Sequence, residues 1–200
     1  VLWRNLPRAL LFLWPGLAGA RKLDETSPLV DFGLFEEVER VVAPLGFVRL
    51  GTHAEVHPLR RPSATYDFCL ADEPVWGSAW RQGAEVRFAL ITAFLGGGMV
   101  LTADHKRLGI DRPPYLAGGL PDAAPEQLLA AHRRRVERLR QSGLSPISDL
   151  SLDARVSAAR AWYRGPGARE VRLGAANAFI LSSMALVLVG AAVVAIARAW

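Results

Sequence analysis

LGAANAFILSSMALVLVGAAVVAIA, residues 173–197, decides the organisation of the chain: it runs 25 positions without a charged residue. As a helix it reaches ~37 Å at ~1.5 Å per residue. A bilayer's hydrocarbon core is about 30 Å thick. Backbone N–H and C=O groups in hydrocarbon have to pair within the segment, so it has to be helical there. Core helices of soluble proteins rarely go so far without a charge, and a transmembrane helix is therefore expected. Arg172 and Arg198 bracket the run. Trp162, Tyr163 and Trp200 lie outside it, where amphipathic rings favour headgroup depth. Gly174, Ala178 and Ser182 recur at i, i+4, a small-residue face open to close helix approach. The expected partners are the bilayer itself and, through that face, a protein partner or a weak homodimer.

Orientation follows from Lys and Arg near the ends of the span. Arg155, Arg160, Arg164, Arg169 and Arg172 lie upstream, against Arg198 alone downstream. This bias predicts a single pass with the large N-terminal part in the cytoplasm. The first twenty residues, VLWRNLPRALLFLWPGLAGA, compete with that expectation. A basic start, a short apolar run and Ala18-Gly19-Ala20 read as a secretory signal, which would place the domain outside the cytoplasm. Pro15 and Gly16 interrupt the run, however, and Arg21-Lys22 follow at once. Residues 9–20 are also too few to span. The preferred reading is an interfacial or re-entrant segment, with Trp3 and Trp14 at headgroup depth.

The middle of the chain reads as an α+β domain. Phe32, Phe35, Val38, Val42 and Leu45 recur at helical spacing, with Glu36, Glu37, Glu39 and Arg40 opposite, and Pro44 and Gly46 close the helix. Three period-2 segments follow, at 65–70, 85–90 and 99–104, with a weaker strand candidate at 47–57. Gly96-Gly97-Gly98 joins the last two as a hairpin turn. Short connections without intervening helices imply an antiparallel meander. Residues 112–125 read as a loop. A second helix is expected over 125–142, its inward stripe made by Leu129, His132, Val136 and Leu139, and a third over 150–163. The expected organisation is an apolar N-terminal segment (1–30), an α+β domain (31–147), a helix and linker (148–172) and a transmembrane helix (173–197).

Composition narrows the function classes. Net charge is +5, almost all from arginine, since lysine occurs only at Lys22 and Lys106. No aromatic-rich binding motif accompanies the arginines, so nucleic acid is not an expected partner. Cys69 is the only cysteine, which excludes an intramolecular disulfide and a Cys-based zinc site.

Candidate chemistry is sparse. His53 and His57 resemble half of a metalloprotease motif but lack its Glu placement. On a strand they stand about 13 Å apart at ~3.3 Å per residue, too far to share an ion. They are expected to be surface or strand-end histidines, with no metal and no cofactor bound. The glycine run 96–98 lacks the Gly-Lys-Ser/Thr of a phosphate loop. Asp104-His105 at a strand end, with His132 on a helix face, is the one arrangement that suggests acid–base work. His132 also reads simply as a packed, hydrogen-bonded core histidine. Arg133, Arg134, Arg135, Arg138 and Arg140 form the densest charge run. They are expected on the outer face of their helix, either solvated or against anionic lipid.

The motifs LGF (45–47), FALITAF (88–94), VLTADH (100–105), RPPY (112–115) and LLAAHRRRVERL (128–139) resemble a group of bacterial membrane-associated proteins without an assigned activity. The resemblance covers roughly residues 31–145. It implies a helix–sheet–helix domain beside membrane helices and carries no catalytic residues over. The favoured expectation is a membrane-anchored binding or accessory module without catalysis. The alternatives are a membrane-tethered hydrolase-like enzyme built on Asp104, His105 and His132, and a cytoplasmic scaffold that contacts anionic lipid.

Overall fold

The structure, a computed structural model, describes residues 2–58 and 61–199. Trp200 and the Trp3 side chain, both expected at headgroup depth, lie outside what is described. The fold is α+β, with an eight-stranded, mostly antiparallel sheet, several helices and a long apolar helix at the C-terminus.

Two compact units divide the chain. The larger comprises residues 20–55 and 62–159, the smaller 1–19, 56–61 and 160–200. The larger holds the sheet, in the order β1 (Gly19–Lys22), β2 (Phe47–Val56), β3 (Ser63–Leu70), β4 (Trp76–Gln82), β5 (Glu85–Ala93), β6 (Met99–Ala103), then β8 (Tyr115–Gly119) and β7 (Ile110–Arg112). Strands β2 to β6 are the expected antiparallel meander, and the glycines at 96–98 turn β5 into β6. Residues 112–125 are not wholly a loop, because β8 lies parallel to β6 and pairs with β7 through a hairpin. Glycine-rich YLAGG carries little strand propensity of its own, and tertiary packing supplies it. A Cβ on Gly119 would fall 1.8 Å from the His105 carbonyl oxygen, so only glycine lets the two backbones meet.

Both faces of the sheet are covered. On one face α2 (Phe32–Val42) and α3 (Pro125–Gln141) enclose the main core, where Phe35, Phe68, Leu90 and Leu128 are essentially inaccessible. Asp31 caps α2 by accepting from the Leu34 N–H at 3.1 Å. The other face carries Trp76, Ile91 and Leu101, all buried. Over its β2 end packs the first half of α4 (Leu152–Arg164), through Leu152, Val156 and Ala159.

A bulge in β2 sets which face each residue takes. Phe47 pairs with Leu70 and Arg49 with Phe68, but the register then slips by one residue at Gly51. Gly51 has φ +144°, and a Cβ there would sit 2.9 Å from Leu152. After the slip Thr52 opposes Tyr66 and His53 opposes Thr65. Without the extra residue His53 would share the face of Phe47 and Arg49; with it, His53 joins the face of Asp67.

In the smaller unit α5 (Gly167–Ala199) is 33 residues long, and α1 (Leu2–Leu13) packs along it. Phe12 stacks on Phe179 with ring centroids 4.5 Å apart, and Leu11, Ala18 and Ala175 are buried together. Ala178 and Ser182, from the small-residue face, are buried, whereas Gly174 is exposed. Trp162 and Tyr163 do not stand free for headgroups. Trp162 is buried with Gly167 against its indole, and Tyr163 packs in the cluster of Leu11 and Ala175. Trp14 is exposed.

Candidate functional site

The chemistry-bearing side chains of the larger unit gather in three places. The first is ionic and lies beneath α4. His53 on β2, Asp67 on β3, Ser78 on β4 and Arg155 on α4 are each at most 4% exposed. His53 Nδ1 donates to Asp67 Oδ2. Ser78 Oγ donates to Asp67 Oδ1 at 2.6 Å and accepts from Arg155 Nε at 3.1 Å. Arg155 Nε also stands 3.2 Å from Asp67 Oδ1. Burial alone would push the Asp67 carboxyl up, but the charges of His53 and Arg155, with hydrogen bonds from His53 and Ser78, outweigh it and hold the pKa below the usual carboxylate range. His53 Nε2 has no hydrogen-bond partner among the described residues. A carboxylate paired with an imidazole also occurs in catalytic bases, which need a route to substrate. Here it is sealed from solvent, and it ties α4 to the sheet.

His53 is thus not the surface or strand-end residue expected of it; it is fully buried. The period-2 reading also put Asp67 on the face opposite Tyr66 and Phe68. That placement is right, but the face is a second interior rather than solvent. The runs FALI (88–91) and MVL (99–101), apolar at successive positions, are the signal that both faces are covered.

The second place lies beneath α3 and is built on hydroxyls. His132 is fully buried, with Nε2 3.0 Å from Thr92 Oγ1 and Nδ1 3.1 Å from Thr102 Oγ1. Thr92 donates its own proton to the Pro74 carbonyl at 2.8 Å, so it accepts from Nε2–H. Thr102 then donates to Nδ1 and accepts from Arg135 Nη1 at 2.7 Å. Burial, and after it the Arg135 charge, pushes the His132 pKa down to about 3. Both ring nitrogens are occupied. The expected partners Asp104 and His105 form a separate pair, 3.0 Å apart, and Asp104 also accepts from the Phe88 N–H at 2.8 Å. His132 shares no described hydrogen bond with either.

The third is a cavity of about 220 Å³ at the α2–α3 end of the main core. Val38, Val41 and Val42 of α2, Ala79, Val86 and Phe88 of the sheet, and Leu128 of α3 line it, with Glu37 and Asp104 as its charged groups.

The arginines of α3 do not behave alike. Arg133 pairs with Glu73 and Arg138 with Asp111, at 2.6 Å in the second case. Arg135 leaves the expected outer face and turns under the sheet to Thr102, because its long stem reaches from the flank of the helix. Arg134 and Arg140 are exposed. Among the described residues no group of three or more His, Cys, Asp or Glu could hold a metal ion. Cys69 is partly buried, which pushes its thiol pKa up and away from reactivity. Neither protein-family models, nor curated proteins, nor solved structures yield a match to this chain.

Proposed function

We propose that this chain is a membrane-anchored binding or accessory module: α5 crosses the bilayer once and holds the α+β unit at the cytoplasmic surface, where it binds rather than catalyses. The carrying observation is the surface of α5. Its apolar stretch has mean hydropathy 2.6 and is almost entirely unburied. Leu186, Val187, Leu188 and Val189 are each at least 56% exposed. Water tolerates no continuous apolar surface of that extent on a free helix, and lipid does.

The orientation rests on fewer charges than the sequence count. Arg155 is buried against Asp67 and Ser78, so it is not a membrane-flanking charge. Arg160, Arg164, Arg169 and Arg172 still outweigh Arg198. The hydrolase-like alternative has less support, because His132 is spent on two threonines. Contact with anionic lipid through α3 is left with Arg134 and Arg140, the exposed arginines of that run without a described ion pair.

Fractionation tests the anchor. The full chain is expected in the membrane pellet through alkaline carbonate washing and in the supernatant only after detergent. Leu186→Arg with Val189→Arg is expected to shift it to the soluble fraction, each charge costing about 2.5–3.5 kcal/mol at mid-bilayer. A wild-type chain that is soluble without detergent overturns the proposal. Orientation is read in a Cys69→Ala, Gln141→Cys chain, where an impermeant thiol reagent is expected to label only after cells are opened.

A further inference from the structure

We propose that the cavity between α2, the sheet and α3 is a binding site for a small apolar cation, an aryl- or alkylamine of about nine heavy atoms. This gives a ligand class to the binding reading above and rests on it; fractionation reads the anchor and ligand titration reads the cavity, so each can fail alone.

Size comes first. An apolar cavity of about 150 Å³ admits a benzene-sized guest. On that scale the 220 Å³ here takes eight or nine heavy atoms. The walls are aliphatic and aromatic, so the body of the guest is apolar.

Charge comes second. The chain as a whole carries an excess of +5, yet among the described residues no Lys, Arg or His lines this cavity, and the two charged groups that do are both acidic. Asp104 is held in place by the Phe88 N–H and by His105. Glu37 is exposed on α2 and makes no described hydrogen bond or ion pair. A preset carboxylate and a movable one, above an apolar floor, suit a protonated amine whose tail enters the cavity. An anion would meet two like charges, and a neutral guest would leave Glu37 with water. Val41, about half exposed beside the acidic groups, extends the apolar wall to the surface.

The test uses the full chain in zwitterionic nanodiscs, with empty nanodiscs subtracting partition into lipid. Phenethylamine, 2-phenylethanol and phenylacetate are titrated by calorimetry. Phenethylamine is expected to bind at least tenfold more tightly than the alcohol, and phenylacetate not to bind. Glu37→Gln is expected to bring amine and alcohol within threefold of each other. Val41→Trp, a rim substitution that leaves the core untouched, is expected to weaken the amine at least tenfold. Equal binding of all three probes, no amine binding at millimolar concentration, or an amine preference that survives Glu37→Gln overturns the proposal.

Discussion

Two histidines, each fully buried in the same sheet domain, are handled in opposite ways. His132 sits between two threonine hydroxyls, with both nitrogens paired and no described hydrogen bond to a carboxylate. His53 sits on a carboxylate that also faces Arg155, with its second nitrogen unpaired. The first arrangement keeps the imidazole neutral. The second places charge inside the protein and makes each member depend on the others. The difference follows the strands beneath. Each helix brings an arginine, Arg135 of α3 to Thr102 and Arg155 of α4 to Ser78 and Asp67, but only the second site has a strand carboxylate to receive it. Burial alone therefore does not decide how a polar side chain is satisfied; the neighbour on the adjoining strand does.

The most severe break of this comparison is on the ionic side. Asp67→Ala leaves Arg155 and His53 buried without their carboxylate, and a loss of about 3–5 kcal/mol is expected. Tryptophan-fluorescence melts of the full chain in nanodiscs measure it. Adding Arg155→Met to the Asp67→Ala chain is expected to restore part of the loss, since the stranded cation is removed. A cost under about 1 kcal/mol for Asp67→Ala would mean the network carries no such dependence.

The neutral side is sharpened by pH. In the unfolded chain His132 titrates near the ordinary value of 6.5, and in the folded chain at about 3. Between those values the unfolded state binds the extra proton. Stability is thus undiminished above pH 6.5 and falls as pH drops toward 3, by up to about 1.4 kcal/mol per pH unit. Asp67, whose pKa is lowered from 3.8, adds its own loss only below that value. His132→Gln is expected to remove the slope between pH 6.5 and 4 while leaving the steeper loss below it. An unchanged slope would place the titrating group elsewhere.

The smallest effects separate two arginines one residue apart. Arg135→Met removes the donor to Thr102 and is expected to cost about 1 kcal/mol. Arg134→Gln, on the exposed side, is expected to stay within about 0.5 kcal/mol. The same melts measure both, and equal costs would contradict the inward turn of Arg135.

Local pattern alone carried much of this architecture. The uncharged run to Ala197, the helical stripe from Phe32, the glycine turn at 96–98 and the inward face of Leu129, His132, Val136 and Leu139 each express a period or a composition within a few residues. β4 and β8 carry no such period, because WGSAWRQ and YLAGG have small residues where a strand pattern shows large ones. Those small residues exist to admit something distant: the Phe47 and Phe88 rings against Gly77, and the His105 carbonyl against Gly119.

The polar sites depended on more than pattern. One extra residue at Gly51 moved His53 to the other face of the sheet and beside Asp67, and α4 then supplied Arg155 from 88 positions further along (67 to 155). A bulge leaves no period to read, and a partner so remote leaves no spacing. The strongly periodic helices, the alternating strands and the membrane-compatible run are legible in residue order, because those depend on near neighbours. Which charges meet is settled by the folded chain, because that depends on register and on which layer closes over each face.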